Sequence, residues 1–208
     1  MDARTAALAE PLAVAVHAVS RSGMEKGDVV AVFGAGPIGI LTALVARHEG
    51  ASHVVITEPS AWRREVAASM GLTVVPEGST ITDVVNELTD GAGADTTFDS
   101  AAHPSVAAEM TAATRVLGRI VIVGVYKKPT AVDLQAVCFK ELSMVGVRVY
   151  TTADVRRAIE LIADDALGLD LFPTKAFPLS RITEAFDAAA SGADCLKVLV
   201  TPTEGEDA

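Results

Sequence analysis

Two rhythms of apolar positions alternate along this chain. Short β-branched runs, such as 29–33, 54–57 and 119–125, have the length and composition of buried strands. Between them lie stretches in which apolar residues return every third or fourth position, the spacing of one helix face. Read in order, the pattern predicts a helix over 10–21 closing before Gly23, a strand over 29–33, a helix from Pro37 to near His48, and a strand over 54–57. A helix over 61–70, a weak strand over 73–75 and a helix over 81–88, bounded by Gly91 and Gly93, come next. A strand over 95–99, a helix over 105–117, the strongest strand at 119–125 and a strand over 142–147 complete the series. Such alternation predicts an α/β fold with a doubly wound parallel sheet of six strands, the Rossmann type, whose ligand lies at the strands' carboxyl ends. Beyond Val149 the rhythm changes to a helix over 153–167, a strand over 175–177, a helix over 181–190 and a strand over 196–201, too few pieces for a separate core.

The break after the first strand carries the chemistry. Gly34, Gly36 and Gly39 form GAGPIG between a strand and a helix. Gly34 permits the sharp turn, Gly36 lets the backbone approach a pyrophosphate, and Gly39 lets the helix close on the strand. Pro37 suits the first helical position, where a missing N–H leaves no bond unmade, and the free N–H groups of that turn face the phosphates. Glu58 stands at the end of the next strand, where an acidic residue accepts from the adenosine ribose hydroxyls. A carboxylate there repels a 2′-phosphate, so the expected cofactor is NAD rather than NADP.

The 208 residues are half hydrophobic, ample for one buried core, and carry a net charge of −10. An acidic surface argues against nucleic acid and anionic membranes as partners. Pro, Gly or charged residues interrupt every apolar run before it reaches bilayer length, and residues 1–10 lack a signal-peptide pattern. The expectation is a soluble, cytoplasmic protein. Cys138 and Cys195 have no metal-ligand or CxxC spacing and read as reduced thiols.

Several segments carry a family resemblance: AEPLAVAVHAV from Ala9, GDVVAVFGAGPIG from Gly27, GRIVIVGVYKKP from Gly118, KELSMVGVRVYT from Lys140, FPLSRITEAFDAA from Phe177 and LKVLVTP from Leu196. In this order they resemble the zinc-containing medium-chain dehydrogenases, above all the sorbitol, butanediol and threonine dehydrogenase branch. The resemblance implies oxidation of an alcohol with hydride transfer to NAD, zinc acting as Lewis acid. The zinc ligands would come from a barrel-like catalytic domain that lies ahead of these segments. On this reading 1–22 is the end of that domain with a linking helix, and 23–149 is the NAD-binding domain. The C-terminal extension, 150–208, would return to the incomplete catalytic domain. The apolar stripes of the 10–21 helix and of the elements after Val149 would then lie exposed or be covered by a neighbouring chain.

The resemblance also assigns residues. Ile38, Glu58 and Arg63 match positions on the adenosine half, although Arg63 reads equally as a solvated helix charge. Val123, Gly124 and Val125, then Val147, Arg148 and Val149, match positions bordering the nicotinamide. The sorbitol enzymes have arginine directly before the tyrosine matching Tyr150; here that place is Val149 and the arginine is Arg148, which puts polyol recognition in question. Lys197 matches a basic position near the phosphates. Glu10 is the one candidate metal ligand, and its alternative is a helix N-terminal carboxylate followed by Pro11. One carboxylate cannot hold a catalytic zinc, which takes three protein ligands. His17, two turns further along, reads as a partly buried helix histidine. The implied partners are an alcohol or ketone substrate and a second copy joined through the sixth strand. A stand-alone NAD-binding module without catalysis is the alternative function.

Overall fold

The computed structural model describes residues 2–202. A short helix α1 (Ala3–Ala6) leads into α2 (Ala9–Ser22), which ends on left-handed Gly23. The chain then alternates through β1 (Val29–Phe33), α3 (Pro37–His48), β2 (His53–Thr57), α4 (Ala61–Ser69), β3 (Thr73–Val74) and α5 (Ile81–Leu88). It continues through β4 (Ala94–Asp99), α6 (Pro104–Ala113), β5 (Thr114–Ile122), α7 (Leu134–Phe139) and β6 (Ser143–Gly146). The six strands form one wholly parallel sheet in the order β3-β2-β1-β4-β5-β6. The expected doubly wound fold is therefore present, with the strand order reversing between β1 and β4, the switch point where such sheets bind ligands.

The central strand shows why both faces must be covered. All five residues of β1 are buried: Val30 and Val32 pack toward α2, α3 and α4, while Val29, Ala31 and Phe33 pack toward α5 and α6. This is the period-two alternation of a strand with a core on each side.

The helix expected over 153–167 ends at Ala163, and three further departures from the expected pattern bear on the core and the site. The helix expected over 105–117 stops at Ala113, because Thr114 turns its hydroxyl onto Met110 O (2.7 Å) and Thr97 Oγ1 (2.8 Å) and its backbone joins the sheet. Residues 115–118 then bulge between the Ala94↔Thr114 and Thr96↔Arg119 pairings. Lys140 holds the arrangement: its Nζ donates to the carbonyls of Thr111, Ala112 and Thr114 at 2.8–2.9 Å, a cation on a helix C-terminus. At its other end β5 stops at Ile122 rather than 125, since the N–H groups of Val123 and Gly124 turn to Asp99 O (2.9 and 2.8 Å).

The third departure concerns the stripe of α2. It does not lie exposed: Leu12, Ala13, Ala15, Val16, Ala18 and Val19 are buried in the main core against α3 and against a further helix, α8 (Thr152–Ala163). Ala158, Leu161 and Ile162 of α8 belong to the same core. After it, β7 (Thr174–Pro178), α9 (Ile182–Ser191) and β8 (Lys197–Thr201) form a second unit, a parallel two-stranded sheet with its helix. Here the expected exposure is found, at Leu179, Phe186 and Val200, and just ahead of β7 at Leu171.

The joint between α2 and α8 is polar at its centre. Thr151 and Asp154 cap α8 reciprocally, and Asp154 Oδ2 also meets His17 Nδ1 at 2.9 Å. Burial opposes the charged form of Asp154, but the Thr151 N–H and hydroxyl and then His17 outweigh it and hold the carboxyl below the usual range. A depressed carboxyl contributes stability that is full above the unfolded value and fades as pH falls through the folded one. Asp154→Asn is expected to destabilise the protein by about 1–2 kcal/mol at neutral pH. Urea denaturation at a series of pH values should show the gap to the parent closing below about pH 4.

Candidate functional site

The turn between β1 and α3 is set by a close approach. Gly34 has φ 97° and donates its N–H to Thr57 O at 2.8 Å, carrying the β1–β2 pairing one residue past the strand. A Cβ on Gly39 would stand 1.8 Å from Gly34 O, so no other residue fits between the helix and the turn. Gly36 is different: a Cβ there would meet only Arg63 Nη1, at 3.9 Å. It opens onto free space. Gly36 caps α3 without a side-chain hydrogen bond and Pro37 follows, leaving the N–H groups of the first turn available to an anion.

Two clefts flank this turn. The first, about 740 Å³, is lined by Gly34, Gly36, Glu58, Arg63, Arg64 and His103, with the 75–79 segment as its outer wall. Glu58 is held rigidly in it: Oε2 accepts from Ala35 N–H (2.9 Å) and Oε1 from Ser60 N–H (3.0 Å). Ser60 also caps α4, so one short segment fixes the carboxylate and the helix that carries Arg63. Arg64 closes the rim through the carbonyls of Glu58 and Pro59 and an ion pair to Glu77 at 3.5 Å. The Arg63 guanidinium makes no hydrogen bond to the described residues.

The second cleft, about 270 Å³, is apolar and lined by Val14, Ile38, Ser100, Val123, Gly124, Val125, Val147, Arg148 and Val149. All six residues assigned to the ends of the fifth and sixth strands meet here, just past β5 and β6. Ile38, matched to the adenosine half, lies instead with this group, because it sits in the first turn of α3 on the side facing the ends of β4 and β5.

Buried Asp99, at the end of β4, builds the wall between the clefts. Its Oδ1 accepts from the N–H groups of Ala101 (3.0 Å) and Ala102 (2.9 Å), and its Oδ2 from the Tyr126 hydroxyl (2.7 Å). Burial, then the Asp99 hydrogen bond and charge, push the Tyr126 phenol well above the usual tyrosine range, so it remains a donor. Next to Asp99, the Ser100 hydroxyl is buried beside the second cleft without a hydrogen-bond partner among the described residues. An orphaned hydroxyl, an uncapped helix N-terminus and an open glycine fit a dinucleotide laid across the turn. Asp99, Ser100 and Tyr126 were missed in the sequence; the one signal for them was that 99 ends the strand beside the switch point.

Glu10 stands exposed in the first turn of α2, and His17 is engaged with Asp154. Among the described residues no group of His, Cys, Asp or Glu is arranged to hold a metal ion. The residues present therefore do not fit a catalytic zinc on their own. Lys197 lies on β8 opposite Thr174 and lines neither cleft. Cys138 is exposed and Cys195 buried, both unbridged.

Set beside known proteins, residues 37–164 match a family model described as zinc-binding dehydrogenase. The chain belongs to the zinc-binding dehydrogenase family. A 2-dehydro-3-deoxy-L-galactonate 5-dehydrogenase of Pseudoalteromonas atlantica is 37% identical over 201 residues, spanning 96% of this chain and 59% of that protein. Among solved structures, 2R,3R-butanediol dehydrogenase from Bacillus subtilis has a TM-score of 0.88 at 30% identity, over 95% of this chain and 57% of that one. A zinc-binding dehydrogenase from Sinorhizobium meliloti, solved bound to NADP, has a TM-score of 0.83 at 28% identity, over 97% of this chain and 60% of that one. This zinc-binding dehydrogenase chain thus spans about three-fifths of the length of such relatives.

The two helix glycines make opposite predictions. Gly39→Ala forces α3 off the turn and is expected to lose more than about 3 kcal/mol of stability. Gly36→Ala meets open space and should stay within about 1 kcal/mol of the parent. Equilibrium denaturation of the two variants checks both.

Proposed function

We propose that this chain is the cofactor-binding part of an NAD-dependent zinc-type dehydrogenase acting on a secondary alcohol, diol or polyol. The observation that carries the reading is the Glu58 carboxylate, fixed by two backbone N–H groups in the cleft beside the open turn of Gly36. In this reading the pyrophosphate lies on the N-terminus of α3, and the adenosine ribose hydroxyls donate to Glu58. Arg63 approaches from α4 and faces the nucleotide. The carboxylate, oriented by two backbone donors, stands where a 2′-phosphate would fall, and like charge there supports NAD over NADP.

Bound NAD supplies a hydride acceptor at its nicotinamide. The chain's own part is to place that ring in the apolar second cleft, between Ile38 and the valines at 123, 125, 147 and 149, and to keep water from its faces. The Ser100 hydroxyl is a polar group available to orient it. Lys197 would approach the phosphates only from the β7–α9–β8 unit. The zinc ligands of such an enzyme would be supplied by residues other than the described ones, with Glu10 at the start of α2 as the one candidate carboxylate of this chain. Self-association through the free edge of β6, where Met144 is exposed, as are Leu134 and Phe139 of the preceding α7, belongs to the same proposal.

Calorimetric titration with NAD and NADP tests the reading. Micromolar binding of NAD is expected, with NADP at least tenfold weaker, abolition by Gly36→Val, and a narrowed NAD preference in Glu58→Ala. Equal affinity for both nucleotides in the parent chain would refute the role of Glu58; retention of NAD binding by Gly36→Val would refute the turn.

A further inference from the structure

At Gly192 the β7–α9–β8 unit comes up to Arg63, which lines the first cleft. Helix α9 ends on Gly192, in the left-handed conformation at φ 53°, its N–H bonded to Ala188 O at 3.1 Å. A Cβ on Gly192 would lie 2.9 Å from Arg63 Nη2, while a Cβ on Gly36 would lie 3.9 Å from Nη1 of the same side chain. The guanidinium is thus seated between the C-terminal end of one helix and the glycine turn that opens another. A helix C-terminus carries partial negative charge and favours a cation, whereas the N-terminus of α3 does not. The carbonyl end of α9 offsets the repulsion that Arg63 meets at the turn.

We infer that Gly192 is a positioning residue for Arg63. By presenting no side chain it lets the guanidinium stand over the Gly36 turn, and the end of α9 holds it there. The seating of the β7–α9–β8 unit therefore sets the affinity for the dinucleotide. The inference rests on the proposal that Arg63 faces the nucleotide.

The clash that a side chain at 192 would create falls on the far end of a flexible arginine, not on backbone, so the fold absorbs it by moving Arg63. Asparagine tolerates the left-handed conformation, which makes Gly192→Asn the variant of choice. NAD affinity is measured by calorimetry on the full chain for Gly192→Asn, Arg63→Ala and the double variant, with denaturation of each as a control for folding. Loss of a charge-assisted contact predicts binding roughly tenfold weaker in either single variant. The double variant should bind no more weakly than Arg63→Ala alone. Parent-like binding by Gly192→Asn, or an equal further loss when it is added to Arg63→Ala, overturns the inference. If Gly36→Val abolishes binding while Arg63→Ala leaves it unchanged, the inference falls and the dinucleotide site stands.

Discussion

The site depends on how closely α3 is allowed to approach the turn that precedes it. With Gly34 O where a Cβ of Gly39 would be, the helix is packed onto the strand with no side chain between them. That contact aims the N-terminus of α3 along the crevice between β1 and β4, and the open Gly36 leaves its N–H groups bare. Packing and chemistry meet in six residues: the glycine that must be close to its neighbours and the glycine that must be close to nothing are three apart.

A second constraint closes the other side. Asp99 is buried at the end of β4, yet its carboxylate is fully engaged by two backbone N–H groups and a phenol, and its carbonyl takes the N–H groups of Val123 and Gly124. Four strand ends are thereby locked relative to one another, since β1 and β2 are already joined through Gly34 and Thr57. The rigid ends explain why two clefts of different character flank one turn: a polar one beside Glu58 and Arg63, an apolar one beside Ile38 and the valines. Preorganisation of this kind would let a large, flexible dinucleotide bind without the protein also having to order its own loops.

Much of this was legible in the residues because it is local. The β1–α3 break, the carboxylate after β2 and the valines that follow β5 and β6 were legible from period, glycine spacing and strand direction, and the structure brings these residues to the two clefts. What was not legible depends on partners far along the chain. The bend at Thr114 depends on Lys140, 26 residues away, whose ammonium replaces the helical hydrogen bonds that the pattern would have continued. The burial of α2 depends on α8, which covers a stripe that otherwise resembles an orphaned interface. Asp99 reads in isolation as one more acidic residue in an acidic chain. Glycine 192 carried no signal, for its meaning lies in the arginine it leaves room for.

The two clefts act as one site only if a dinucleotide lies across the N-terminus of α3. Backbone amide resonances followed during titration with NAD test it most directly. The largest shifts should fall on Gly34, Ala35, Gly36, Ile38 and Gly39, with a second group at Ser100 and at Val123 to Val125. Shifts confined to other parts of the surface, with the amides of the glycine turn unmoved at saturating NAD, would contradict it.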